Sequence, residues 1–399
     1  MVESTLPVHA ESQTKHFTFP HPPKLHLKLP HPHFRHHKLF PTSRRGRILF
    51  GCCLFWVLLG SFWGILGIWA FVPCLDVPLS SSLPNFDGHF ESPSVRTVAP
   101  DVARRATNGV VRVLSANLFL RTWILREPDT FWEEDYRDAR LDKFIELYLD
   151  QYDVILLQEL WLVGGGDRVA RLIDAATSRG FKYWRRGRCV PGQLFTSGLF
   201  VLSRWPVLED DDLTFEAEGK GADFTNAMGA LHARIAVAGP NGATCSMHVF
   251  NTHLQSDPKH ADVRFSQARQ LQHWIASKAQ GDGDAVLVAG DMNVDVTWHP
   301  DHPRLMDSLL PQDEREWWPL QNADRTCCGS ILSSDTTSHD ARYDFMLFRN
   351  ASTATGMQVD SDHEPRVLRW DVGGSTQFGA LSDHLPLEAT FRCPSAHQL

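Results

Sequence analysis

The sequence predicts an α/β domain of mixed β-sheets covered by helices, preceded by one membrane-spanning helix. Two observations predict this. From Val110 onward, short apolar runs of strand character alternate with amphipathic helical stripes, and upstream of them residues 48–72 form a stretch without a single charged side chain. The 399 residues, 43% hydrophobic and 22% charged, suffice for one enzyme-sized core with appendages.

The first 47 residues hold eight Lys/Arg against two Asp/Glu and are rich in His and Pro, as in His31-Pro32-His33 and His36-His37-Lys38, with no apolar period. They read as a disordered, positively charged tail. The net charge of −8 is therefore unevenly spread: 31 basic and 45 acidic residues remain beyond the tail, a net of −14. An acidic body argues against a nucleic-acid binder, whose footprint is a basic face. Residues 48–72, rich in Leu, Trp, Phe and Ile, are long enough to span a hydrocarbon core of about 30 Å at about 1.5 Å per residue. Arg44, Arg45 and Arg47 stand immediately before this run, and the first charges after it are Asp76 and Asp87. The positive-inside rule then keeps the N-terminus cytosolic and translocates the body, a type II single-pass arrangement with a lumenal or extracellular domain. No small-residue cleavage site follows the run, so it reads as an uncleaved signal anchor. Residues 73–107, with Leu79-Ser80-Ser81-Ser82-Leu83-Pro84, read as a linker, and residues 394–399 as a short tail.

Residues 108–393 carry the domain. Strands are predicted at 110–115, 153–157, 198–202, 229–237, 247–252, 285–289, 343–348 and 385–391; in the last, Leu385, Leu387, Ala389 and Phe391 share one face. Leu141, Phe144, Ile145, Tyr148 and Leu149 form one helical stripe, and Val169, Leu172, Ile173 and Ala176 another that ends before Gly180. Eight cysteines are too few for a disulfide scaffold. Cys52 and Cys53 fall in the apolar run; Cys74, Cys189, Cys245, Cys327, Cys328 and Cys393 are free to pair, and no spacing among them makes a zinc site.

Several strands end in polar residues that a core does not select: Asn117; Gln158-Glu159; Asn251-Thr252-His253; Asp291-Met292-Asn293; Tyr343-Asp344; Ser382-Asp383-His384. Any one has an ordinary explanation as a turn residue, helix cap or satisfied histidine, but six on the strands of one domain point to a site. The chemistry they suit is phosphodiester hydrolysis. Glu159 with Asn117 supplies the sparse oxygen set that Mg²⁺ prefers. Asp291 and Asn293, two apart, are expected to share a face in extended geometry and to hold water and a phosphate oxygen. A histidine beside a carboxylate, Asp383-His384, fits a general base, and His253 can stabilise charge developing on the phosphoryl group.

These residues, with Ser197-Gly198-Leu199, Ser203-Arg204-Trp205-Pro206 and Ser382-Asp383-His384-Leu385-Pro386, stand in the order of the endonuclease/exonuclease/phosphatase superfamily, which the chain resembles over about 270 residues. The resemblance implies a four-layer sandwich, two mixed sheets face to face with helices outside, and a metal-dependent site at one edge. It also implies roles: Glu159 as metal-binding glutamate with Asn117 beside it, Asp291 and Asn293 as contacts to water and phosphate, Asp344 as the aspartate orienting a catalytic histidine, and His384 as general base. Ser361-Asp362-His363 repeats the terminal tripeptide, but a charged stretch follows it instead of apolar alternation, so His384 is chosen.

Within the superfamily, Asn251-Thr252-His253-Leu254, the helix with Gln267, Gln270, Leu271 and Trp274, and Gly379-Ala380-Leu381 before Ser382 are most similar to the neutral sphingomyelinases. That branch implies a membrane lipid as substrate and Mg²⁺, or Mn²⁺, as cofactor, with Asn251 and Asn293 in the substrate site. Trp317-Trp318 and Trp370 are candidates for entering a lipid interface. One departure is that a lysine usual two residues after the position of Asn226 is replaced here by Met228, with Lys220 the cation nearest upstream to take its place. The competing readings are a nuclease of the same fold, disfavoured by the acidic body, and an inactive phospholipid-binding membrane protein, disfavoured by retention of the whole polar set. An inositol-phosphate phosphatase lacks support, because no Trp precedes Gly290-Asp291.

Overall fold

In the computed structural model, β1 (Val110–Leu120) and β2 (Val154–Leu160) run parallel at the centre of the first of two sheets. The structure describes residues 99–394 except 122–135, 162–165, 189, 191, 280–282, 296–301, 310–317, 320–324, 329–340, 354–355, 362, 364 and 373–377. The apolar run at 48–72, the tail at 1–47 and most of the linker lie outside the described residues; among those described, no helix is long and apolar enough to cross a membrane. The last eight residues of the expected linker form a helix, α1 (Pro100–Thr107), which buries only Val102 and so leaves little apolar period in the sequence.

After β1 come α2 (Arg137–Tyr148), β2, α3 (Gly166–Ser178), β3 (Tyr183–Arg186), β4 (Phe200–Ser203), β5 (Val207–Thr214), β6 (Gly229–Ala238), β7 (Thr244–His253), α4 (Ala261–Lys278) and β8 (Ala285–Asp291). The chain continues through α5 (His302–Leu309), β9 (Trp318–Pro319), β10 (Asp344–Arg349), β11 (Gln358–Val359), β12 (Arg366–Val367) and β13 (Leu387–Arg392). The first sheet has the order β11-β13-β1-β2-β4-β3, with β12 also on β13; the second has β5-β6-β7-β8-β10-β9. Each mixes one parallel pair, β1 with β2 or β7 with β8, into otherwise antiparallel neighbours.

Period-two alternation distributes the buried apolar strand residues among three clusters. Val111 and Val113 of β1, Val154 and Leu156 of β2, Met247 and Val249 of β7, Leu287 and Ala289 of β8, and Leu387, Ala389 and Phe391 of β13 meet between the sheets. The opposite rows of the first sheet, Leu114, Ala116, Ile155 and Leu157, pack under α2 and α3 through Phe144, Ile145, Leu172 and Ile173. Those of the second, Phe250, Val286, Val288, Phe345 and Leu347, pack under α4 and α5 through Phe265, Leu271, Ile275 and Leu305. Helices thus cover the outer face of each sheet. β2 is buried along its whole length, which is why its sequence is a nearly continuous apolar run.

The cysteine pairing left open by the sequence is partly resolved: Cys245 at the start of β7 bonds to Cys393 just after β13, joining the two sheets, and Cys327 pairs with its neighbour Cys328. Cys74 and Cys189 lie outside the described residues.

Candidate active site

The rows that face each other between the sheets turn from apolar to polar at one end. On β1, Val111 and Val113 are followed in the same row by Ser115 and Asn117; on β7, Met247 and Val249 by Asn251 and His253; on β8, Leu287 and Ala289 by Asp291; on β10, Phe348 and Met346 lead back to Asp344. Strand register aligns the ends, since His253 lies opposite Asp291 and Asp291 opposite Asp344. Alternation therefore aims these side chains into one buried cleft.

Asn117 is the hub of the first half. Its amide nitrogen donates to Glu159 Oε1 and to Asp291 Oδ2, both at 3.0 Å, and its oxygen accepts from the Phe119 N–H at 3.0 Å. Alternation alone would send Glu159 to the outer face with Ile155 and Leu157; its left-handed φ of 56° goes with the turn toward Asn117. Phe119, where the β1–β2 register shifts, also has a positive φ of 51°. The second half is a dyad. His384 Nδ1 and Asp344 Oδ2 are 2.8 Å apart, and the other ring nitrogen stands 3.7 Å from Asp291 Oδ2, which His253 Nε2 approaches to 3.6 Å. Burial by itself lowers the basicity of His384, but the Asp344 and Asp291 carboxylates outweigh it and hold the imidazole well above its usual range. Burial pushes the Asp291 carboxyl up to about 6, against the pull of His253 and His384.

Two glycines are required by close approach. A side chain on Gly290, whose φ is 140°, would run into the Thr252 carbonyl, and one on Gly198, φ 68°, would strike the Trp161 indole at 2.8 Å.

Residues 114–384 match the Endonuclease/Exonuclease/phosphatase family. The chain belongs to this family. It is 29% identical over 221 residues to a sphingomyelinase of Dictyostelium discoideum, a match that covers 48% of this chain and 46% of that relative's length. Among solved structures, SmcL superposes with a TM-score of 0.54 at 20% identity, over 71% of this chain and 99% of the other. A beta toxin mutant from Staphylococcus aureus with bound magnesium ions superposes at 0.51 and 16%, over 70% and 98%. At these identities the structural likeness is one of fold.

The family implies a metal, and the donor set fits a hard cation. Glu159 Oε2 is buried without a hydrogen-bond partner, with the Arg121 guanidinium 3.9 Å away, so a carboxylate oxygen is left facing the cleft. Asp383 adds a second carboxyl, raised by burial and by the nearby Glu159 charge. Asp291, Asp344 and His384 also bring ligating atoms within 4.8 Å of one another, but Asp344 and His384 are already joined to each other.

Other expectations are corrected by the geometry. Asp291 and Asn293 do not share an extended face, because β8 ends at Asp291 and Asn293 has a left-handed φ of 51°. Asn293 instead donates its N–H to Asp291 Oδ1 at 2.9 Å and its amide to the Leu254 carbonyl at 2.9 Å. The carboxylate on His384 is Asp344, the residue the resemblance assigned to orient it, and not the chain neighbour Asp383 that adjacency suggested. Asn251 lies one strand step deeper than His253 and links the sheets, accepting from Gln158 and donating to the Leu157 and Phe200 carbonyls, with no exposed surface left for substrate. Asn117 has both ends of its amide engaged and bridges two carboxylates. Lys220 reaches Asp262 at the surface, 3.3 Å away. Met228 points into the apolar cluster with Phe215, Phe250 and Leu254. Trp370 is buried among Phe144 and Tyr148 and donates to the His384 carbonyl at 2.6 Å, so it does not offer an exposed face to lipid; the side chains of Trp317 and Trp318 lie outside the description. His363 is solvent-exposed beside Asp360, away from the dyad.

Three positioning residues escaped the sequence reading. Arg140 of α2 donates to the carbonyls of Leu118, Phe119 and Leu381, tying the end of β1 to the segment before His384. Arg264 of α4 does the same for the loop after His253, through Gln255, Asp257 and Pro258. Each lies in phase with its helix's apolar stripe, four residues before Phe144 and Ala268, and that phase was the available signal. Thr326 accepts the Tyr343 and Asp344 N–H groups at 3.0 Å and left no signal.

Proposed function

We propose that the protein is a membrane-anchored, Mg²⁺-dependent phosphodiesterase that cleaves sphingomyelin or a related phospholipid and releases the phosphorylated headgroup. The observation that carries the chemistry is the His384–Asp344 dyad converging with Asn117, Glu159, His253 and Asp291 on one buried cleft. The sphingolipid assignment is supported by the relative that bears a sphingomyelinase name.

His384 takes a proton from the attacking water while Asp344 fixes its ring and stabilises the imidazolium. Water adds to phosphorus, the bond from phosphorus to the lipid alcohol breaks, and the departing oxygen takes a proton from solvent while the His384 imidazolium returns its own to solvent. His253 donates toward a phosphoryl oxygen, and Asn293 and Asp291 line the same site. Glu159, with Asp383 near it, would hold Mg²⁺ or Mn²⁺, which when bound neutralises charge on the phosphodiester. The proposed setting is type II: tail cytosolic, residues 48–72 in the bilayer, and the domain on the lumenal or extracellular side with a lipid, not a nucleic acid, as its partner.

The test is release of labelled phosphocholine from sphingomyelin with and without Mg²⁺, run beside nicking of plasmid DNA. Sphingomyelin turnover that stops in chelator is expected, and Glu159→Gln should lose it with only partial recovery at high Mg²⁺. Full turnover in chelator, or DNA cleavage without lipid cleavage, overturns the reading.

A further inference from the structure

A cavity of about 440 Å³ opens on the outer face of the first sheet, between α1, β12 and β13. Arg104 and Arg105 of α1, Arg112 of β1, Arg366 of β12 and Arg392 of β13 line it, with His363 at its rim. Only two carboxylates, Glu388 and Asp360, share the lining. Glu388 serves two guanidinium groups, Arg112 at 2.8 Å and Arg366 at 2.6 Å, and also accepts from the Tyr152 hydroxyl. Asp360 pairs with Arg392 at 2.7 Å, while Arg105 is held by Asp153 behind the wall. Arg104 pairs with Asp101, both about three-quarters exposed and so heavily screened.

With Asp101 and Asp153 counted beside Glu388 and Asp360, five guanidinium groups stand against four carboxylates, a local excess of one positive charge on a body whose net charge is strongly negative. All five cations are arginine, whose planar fork matches a phosphate bidentately, where lysine would present a point charge. The volume suits a small headgroup. The cavity is separate from the catalytic cleft: Arg112 and Asn117 are five residues apart on β1, about 16 Å along the strand, and face opposite sides of the sheet.

We propose that this cavity is a second, non-catalytic site for a terminal or free phosphate group, held by Arg104, Arg366 and Arg392. The chemistry is shared by a lipid headgroup such as phosphatidic acid and by free phosphate. The assignment does not depend on the reaction proposed for the cleft.

The experiment is calorimetric titration of the full-length protein, in detergent and chelator, with inorganic phosphate and then with soluble dihexanoyl phosphatidic acid in competition. Arg104→Ala/Arg366→Ala should weaken phosphate binding by about tenfold or more, as expected on removing charge-assisted hydrogen bonds. Its melting temperature and its turnover of a water-soluble phosphodiester should stay at wild-type values. Should the double variant fail to fold, Arg392→Gln serves instead, with the same loss expected. Tighter binding of the short-chain lipid than of phosphate, lost in the same variant, identifies a headgroup as the source; equal binding identifies the free anion. Absence of phosphate binding in the wild type, or binding that the variants leave unchanged, overturns the site.

Discussion

His384 is surrounded by negative charge, and this sets how its activity should respond to pH. A general base works in its neutral form, and Asp344 and Asp291 together raise the imidazole well above its usual range. The rate should therefore climb with pH through that raised value and not through an ordinary histidine's. Asp344→Asn removes the nearest charge, at 2.8 Å, so the acid limb of kcat/KM should move to lower pH while the maximum falls. A limb left in place would mean that another group titrates. A second residue-scale prediction concerns Met228, where the likeness to sphingomyelinases suggested a missing cation. The side chain is 5% exposed, packed with Phe215, Phe250 and Leu254, so Met228→Lys would bury an ammonium among aromatics. The expected result is a loss of stability on the order of 3–5 kcal/mol, read from denaturant unfolding, with no gain in lipid cleavage. An unchanged midpoint with faster turnover would show that the lysine reaches the cleft after all.

At the scale of elements, the segment around Thr326 holds the dyad by its backbone. Thr326 Oγ1 accepts the N–H groups of Tyr343 and Asp344, its carbonyl accepts the Leu385 N–H at 2.6 Å, and Cys327 bridges both Ala341 and His384. Thr326→Val keeps the shape but leaves two buried N–H groups without an acceptor, a cost of about 1–3 kcal/mol. We expect kcat to fall by about tenfold with KM little changed; Thr326→Ser should restore it, and failure of that rescue would point to lost packing instead. Such a segment was invisible in the sequence because its interactions join residues 17 and 18 apart, from main-chain N–H groups to one threonine hydroxyl. The strands, by contrast, were legible wherever one face is buried: the row Leu387, Ala389, Phe391 reads directly off the chain. β5 was missed because its run Asp210-Asp211-Asp212 is that of an exposed edge strand, where acid replaces alternation. The cleft residues were legible as polar ends of apolar rows, whereas the left-handed turn at Glu159 was not, since glutamate has no preference for positive φ, and that at Asn293 had only asparagine's modest tolerance of it as a signal.

For the whole molecule, the charge asymmetry and the Cys245–Cys393 disulfide address the same question from different chemistry. In the proposed type II arrangement, the eight basic residues before the apolar run keep the tail on the cytosolic side, and residues after it are exported. A disulfide persists in the oxidising compartments on that far side and is uncommon in the cytosol. Cys245 and Cys393 lie at the end of the sandwich remote from His253, and their bond joins residues 148 apart in sequence across the two sheets. Its loss should lower stability by about 2–5 kcal/mol while leaving the cleft geometry, and hence kcat at moderate temperature, unchanged. The orientation itself is tested by adding protease to sealed vesicles with the cytosolic face outward. The 1–47 tail should be removed and residues 73–399 spared, and mapping of the protected fragment without reductant should recover the Cys245–Cys393 link. Digestion of the domain from the cytosolic side, together with recovery of both thiols free, would place the enzyme in the cytosol and leave residues 48–72 as a segment that enters the membrane without crossing it.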